Sequence, residues 1–131
     1  MVTMKHVTKT GSKAFTLIEL LVVLAIIATL LSLAAPRYFQ HVERSKEAVL
    51  HENLATLREA IDQYHADKGK WPESIEALAE NRYIRAVPMD PISESANTWV
   101  ITPPPEGNKG IYDVHSGAAG VSRDGTAYAE W

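Results

Sequence analysis

Residues Phe15 to Ala35 read FTLIELLVVLAIIATLLSLAA, 21 consecutive positions without Gly, Pro, Asn, Asp, Gln, Lys or Arg. At 1.5 Å per helical residue such a run spans roughly 31 Å, about the hydrocarbon thickness of a bilayer. It holds one charge, Glu19, four residues past its start. A carboxylate in an apolar segment is expensive unless a partner meets it, which makes Glu19 a functional residue by default.

Charge is unevenly placed around that run. Residues 1–14 carry Lys5, Lys9 and Lys13 and no acid, a formal +3, while the remainder of the 131-residue chain stands at −6. A basic stub before an apolar helix keeps the N-terminus cytoplasmic and exports the C-terminal body. An acidic body lacks the concentrated basic face that nucleic-acid binding needs. No cysteine is present, so no disulfide can reinforce the small body. Two ordinary readings of residues 1–35 stand beside a functional one. The first is a secretory signal peptide with Ser32-Leu33-Ala34 as its cleavage site, for which the run is too long. The second is a plain anchor, which accommodates the length but gives Glu19 no purpose.

After the run, Gln40 to Lys68 contains neither Gly nor Pro, and Leu50, Leu54, Leu57, Ile61 and Tyr64 recur at steps of 4, 3, 4 and 3. That spacing predicts an amphipathic helix, with Gly69 as its stop. Pro36 is expected to kink or melt the join between the apolar and amphipathic halves. Beyond Gly69 the chain turns to short elements: a helix over Glu73–Asn81, strands at Trp99–Thr102 and Gly110–His115, and a turn-rich link between those strands. Asp124-Gly125 suits a type I′ hairpin turn, with Tyr128–Trp131 pairing as the last strand. The expected class is α+β: a long N-terminal helix packed on a small domain with a short antiparallel sheet. Its parts are a leader 1–14, an apolar half-helix 15–35, an amphipathic half-helix 36–68 and a loop-rich domain 69–131.

An enzyme finds no support in these residues. His6, His41, His51, His65 and His115 have no metal-ligand spacing, and Ser116-Gly117 lacks the Gly-x-Ser-x-Gly frame of a nucleophile elbow. His41 and His51 read as solvated. Tyr64, Trp71, Tyr83, Trp99, Tyr112 and Tyr128 read as core.

The segment Lys13-Ala14-Phe15-Thr16-Leu17-Ile18-Glu19-Leu20-Leu21-Val22-Val23 resembles the prepilin N-terminal motif of type IV pilins and type II secretion pseudopilins. In that family a membrane peptidase cuts before the Phe and methylates the new amino group. The resemblance therefore implies cleavage between Ala14 and Phe15, with Ala14 standing where the family usually has Gly, and N-methylation of Phe15. It further implies that Glu19 of an incoming subunit meets the Phe15 amine of a neighbour and sets filament register. The bland alternative has Glu19 contacting only its own helix terminus. Pro36 resembles the helix-breaking proline of many pilins.

Lys70-Trp71-Pro72, Val87-Pro88-Met89-Asp90-Pro91, Tyr112-Asp113-Val114-His115-Ser116 and Trp131 are similar in layout to the major pseudopilin. Such proteins commonly bind one calcium in a C-terminal loop. Here Ala119 in Gly117-Ala118-Ala119-Gly120 stands where the ligating Asp would be, leaving Asp113 and Asp124 as the calcium candidates, with Glu130 as a further oxygen donor. Implied partners are further copies in a helical filament, a prepilin peptidase, an inner-membrane assembly platform and minor pseudopilins, with no nucleic acid. The implied location is the bacterial inner membrane, single-pass with the C-terminal domain in the periplasm, and a periplasmic pseudopilus after assembly. A pilin or minor pilin of a surface fibre, and a membrane-anchored periplasmic binding module that never polymerises, remain as alternatives.

Overall fold

The computed structural model describes residue 3 and residues 14–131, so the leader lysines lie outside the described residues. It forms two compact units, Met1–Gln40 and His41–Trp131. Helix α1, Leu17–Lys68, contributes to both. Its start is capped by Thr16, whose Oγ1 accepts from the Glu19 amide at 3.0 Å. Its end is the expected glycine: Gly69 takes φ +68° and donates its amide to His65 O at 2.9 Å.

Of the kink or melting expected at Pro36, melting is absent, because α1 is helical through that residue. Proline already holds a helical φ, so it removes one donor and crowds one carbonyl without forcing the chain out of helix.

In the His41–Trp131 unit the sequence periodicity becomes the core. Leu50, Leu54, Leu57, Ile61 and Tyr64 are all buried on one face of α1. They meet Ile75 and Leu78 of helix α2, Ile75–Glu80, together with Trp99, Ile111, Val114 and Tyr128. Helix α2 is shorter than Glu73–Asn81 because Ser74 takes an extended φ of −153° and caps it, its hydroxyl accepting from Ala77 N at 3.1 Å.

Strands β1, Val100–Thr102, and β2, Asp113–His115, form a two-stranded antiparallel sheet with Ile101 opposite Val114. Strand β2 begins later than expected because residues 110 and 111 serve a different neighbour. The Ile111 amide donates to Pro72 O at 2.9 Å. A Cβ on Gly110, at φ +118°, would stand 2.8 Å from Trp71 Cβ, so only glycine permits that approach.

The C-terminal segment departs furthest from expectation. Tyr128–Glu130 is a 3₁₀ turn rather than a strand, and only Val121 and Ala127 bridge across the hairpin. Tyr128 and Trp131 both turn toward α1, where the Tyr128 hydroxyl donates to Glu47 and the Trp131 ring stacks on His51. A three-residue separation puts both on one side of a 3₁₀ turn but on opposite faces of a strand. The turn before it is not type I′ either. Among the described residues Asp124 does not have positive φ, which falls to Gly125 at +93° in a three-residue loop, with Ser122 N donating to Thr126 O at 2.7 Å. Tyr112, expected in the core, is 47% exposed.

Candidate functional site

The apolar half of α1 presents its side chains outward all round: every residue from Phe15 to Phe39 is exposed. The helix is long and apolar enough to cross a membrane. Its polar groups are treated differently from one another. Thr29 Oγ1 donates to Ala25 O and Ser32 Oγ to Ala28 O, each at 2.8 Å, so both hydroxyls hide on their own backbone. Thr16 is consumed as the cap. Glu19 is the exception, since its carboxylate has no hydrogen-bond or ion-pair partner among the described residues. Thr16-x-x-Glu19 is also a capping-box sequence, a helix-start signal that spacing alone carries and that the expectations for this helix did not include. Only half of the box is formed here: the amide of Glu19 donates and its carboxylate stays open. Phe15, 79% exposed, lies just before the Thr16 cap and four residues ahead of Glu19 in the chain, and Ala14 precedes it as exposed coil.

A second constellation ties the C-terminal loop to α1, and sequence spacing does not reveal it. Glu47 is buried on α1. Its Oε1 accepts from the Arg123 amide at 3.0 Å and from the Tyr128 hydroxyl at 3.1 Å, and its Oε2 from Arg123 Nε at 3.2 Å. Burial pushes this carboxyl upward, but the three bonds and the Arg123 charge together hold it below its ordinary value. Burial and the Glu47 charge push the Tyr128 phenol up correspondingly. About three turns further along α1 is Arg58, half-buried. It donates through Nε to Asp113 Oδ1 at 2.9 Å, and through Nη2 to Val114 O at 2.9 Å and Trp131 O at 2.7 Å. His51 is exposed, as expected, and stacks one ring face on Trp131 with ring centroids 3.9 Å apart.

The calcium candidates are each engaged by protein groups. Asp113 faces the Arg58 guanidinium, which repels a cation. Asp124 closes its own turn, accepting from the Ser122 hydroxyl and from the hydroxyl and amide of Thr126, and these bonds hold it at about 2. Among the described residues no three His, Cys, Asp or Glu side chains converge. Calcium takes six to eight oxygens, and this donor set does not fit it.

Asp90 shows why a serine beside a carboxylate is no active site here. Ser116 Oγ donates to Asp90 Oδ2 at 2.5 Å, yet both residues are fully buried, where no substrate reaches. Asp90 Oδ1 also accepts from Ile92 N at 2.8 Å, shaping the proline-rich turn around it.

Residues 9–35 match the family model described as the prokaryotic N-terminal methylation motif. The fimbrial protein EcpC of Eikenella corrodens is 31% identical over 126 residues, covering 90% of this chain and 80% of that protein. This chain is a type IV pilin-like protein. The pilin-like chain is also similar to type II secretion system core protein G of Escherichia coli K12, 29% identical over 120 residues and 79% of each chain. Over 68 residues, half of its length and 39% of the other protein, it is 41% identical to the type IV major pilin PilE1 of Neisseria gonorrhoeae. No solved structure matches the pilin-like chain. Its relatives are structural pilins and pseudopilins rather than enzymes, and the one membrane-length apolar helix among the described residues fits membrane anchoring.

Proposed function

We propose that this chain is the major pseudopilin of a type II secretion system: a structural subunit held in the inner membrane by α1 and polymerised through that helix into a periplasmic filament. The observation that carries the reading is the carboxylate of Glu19, without a partner among the described residues, in an apolar half-helix whose Thr29 and Ser32 hydroxyls bond their own backbone. A helix that only anchored would gain nothing from that charge, whereas one that must take a fixed register against a neighbour gains a partnered polar contact. Cleavage before Phe15 would supply that partner, the new Phe15 amine of a neighbouring subunit. The peptidase, assembly platform and minor pseudopilins are then its expected partners. The 31% identity to a fimbrial protein favours, as the second reading, a pilin of a surface fibre. Deleting the gene distinguishes them: exoprotein secretion is lost in the first case and surface fibres in the second.

Intact-mass measurement of membrane-extracted protein is expected to show a chain of residues 15–131 carrying one methyl group on Phe15. A mature terminus at Pro36 would establish a signal peptide and end the filament reading.

We also propose that the C-terminal loop is ordered without calcium. A ligand that binds only the folded state raises stability by RT ln(1 + [L]/Kd), about 2.7 kcal/mol at a hundredfold excess over Kd. A fragment of residues 41–131 is therefore expected to melt at the same temperature in excess calcium and in chelator. A rise of several degrees with calcium would contradict the engagement of Asp113 by Arg58 and of Asp124 by its turn.

A further inference from the structure

An open cleft of about 510 Å³ lies on the His41–Trp131 unit beside α1, lined by Arg44, Glu47, His51, Arg123, Asp124 and Trp131. Its two carboxylates are already engaged, Glu47 by Arg123 and Tyr128 and Asp124 by its own turn. Its guanidiniums are not used up. Arg44 has no ion-pair partner among the described residues, and Arg123 gives only Nε to Glu47. The cleft thus offers open cationic donors beside an indole.

The complementary surface is on the same unit. Glu76 and Glu80, four residues apart on α2, and Glu73, just before its Ser74 cap, are exposed and have no ion-pair partner among the described residues. No cation falls within residues 73–80, although Lys70 and Arg82 flank them. Helix α2 is tied to the last turns of α1: Trp71 stacks on His65 at 3.7 Å and the Tyr83 hydroxyl donates to Asp67 at 2.8 Å. The cleft is tied to α1 at Glu47 and His51. From His51 to Asp67 is about 24 Å along the helix axis at 1.5 Å per residue. Donors and acids are therefore anchored about 24 Å apart along α1, and no ion pair joins them among the described residues.

We propose that the Arg44–Arg123 cleft of one copy receives the Glu73–Glu76–Glu80 ridge of another, head to tail. The unit carries a formal −6, so packing copies together needs its open cations at the contact. Two different patches joining in this way make a heterologous contact, the kind that propagates into an open fibre instead of closing a dimer. The inference rests on the proposed filament function and names a contact within that filament.

Because the chain has no cysteine, introduced thiols report unambiguously. Full-length Arg44→Cys/Glu76→Cys protein, assembled with its secretion machinery and treated with a short thiol cross-linker, is expected to give a ladder of covalent oligomers. Arg44→Cys/Glu106→Cys is expected to give none. Arg44→Glu should lower recovered filament about tenfold, as should Glu76→Arg, and the two combined should restore it. No ladder from Arg44→Cys/Glu76→Cys in filaments the unaltered chain forms normally, or a ladder from the Glu106 pair, would overturn the contact. Cross-linking through Arg44→Cys alone would mean a symmetric contact and overturn the head-to-tail geometry. Failure of the unaltered chain to form filaments would instead remove the assembly reading, and this contact with it.

Discussion

Glu19→Leu protein is expected to reach the membrane fraction at the same level as the unaltered chain and to form no filaments. Insertion loses nothing, because the substitution removes a charge that costs several kcal/mol in hydrocarbon. The helix start survives as well, since Thr16 caps through the amide of residue 19 and not its side chain. What disappears is the one polar group in the apolar half of α1 without a partner among the described residues. A Coulombic contact in a low-dielectric environment is strong, and in the proposed filament its loss would leave the neighbour's cationic amine buried alone, a penalty of about 3–5 kcal/mol per subunit. Repeated along a filament, that is enough to abolish polymerisation. Immunoblotting of membranes together with sedimentation or electron microscopy of assembled material would check it. Normal Glu19→Leu filaments would refute the register role.

The second large effect is expected at Glu47. Truncation to alanine leaves the Tyr128 hydroxyl and the Arg123 amide without their acceptor in a buried place. Loss of hydrogen bonds to a charged group costs about 2–3 kcal/mol in total, which for a domain of this size lowers Tm by roughly 10–20 °C. Thermal melts of a fragment of residues 41–131 would measure it. A Tm within a degree or two of the unaltered fragment would mean the clasp does not hold the loop.

The same residue sets the acid limb of stability. The Glu47 carboxyl is depressed in the folded state, so its contribution is present above its unfolded value, 4.5, and is lost as pH falls through its lower folded value. Asp124, held at about 2 against 3.8 unfolded, behaves in the same way at still lower pH. Stability should therefore be flat near neutrality and fall below about pH 4.5, and Glu47→Gln should flatten the upper part of that fall.

The features legible in the sequence are those with a local cause. The apolar run of 15–35, the 4-3-4-3 spacing from Leu50 to Tyr64, the Gly69 stop and the motif around Phe15 and Glu19 all express periods or neighbours within one helix. Each of the helical features appears in the structure where the spacing places it. Position alone misleads on melting at Pro36, where the helix runs through a proline that costs it one hydrogen bond, and at Asp124-Gly125, where a dipeptide compatible with two turn types adopts the longer loop.

The sequence by itself determined that this chain has a membrane-length helix with one charge, and that the helix continues with one apolar face, because helical periodicity is carried within a few residues. Only the tertiary structure decided what Glu47 and Arg58 do. Their partners lie 76 and 55 residues away, and no spacing rule links an acid on a helix to an arginine in a distant turn. The same is true of the C-terminus. Tyr128 to Trp131 has the composition of a strand, yet Tyr128 and Trp131 must face the same helix, and a 3₁₀ turn is the backbone that puts both there.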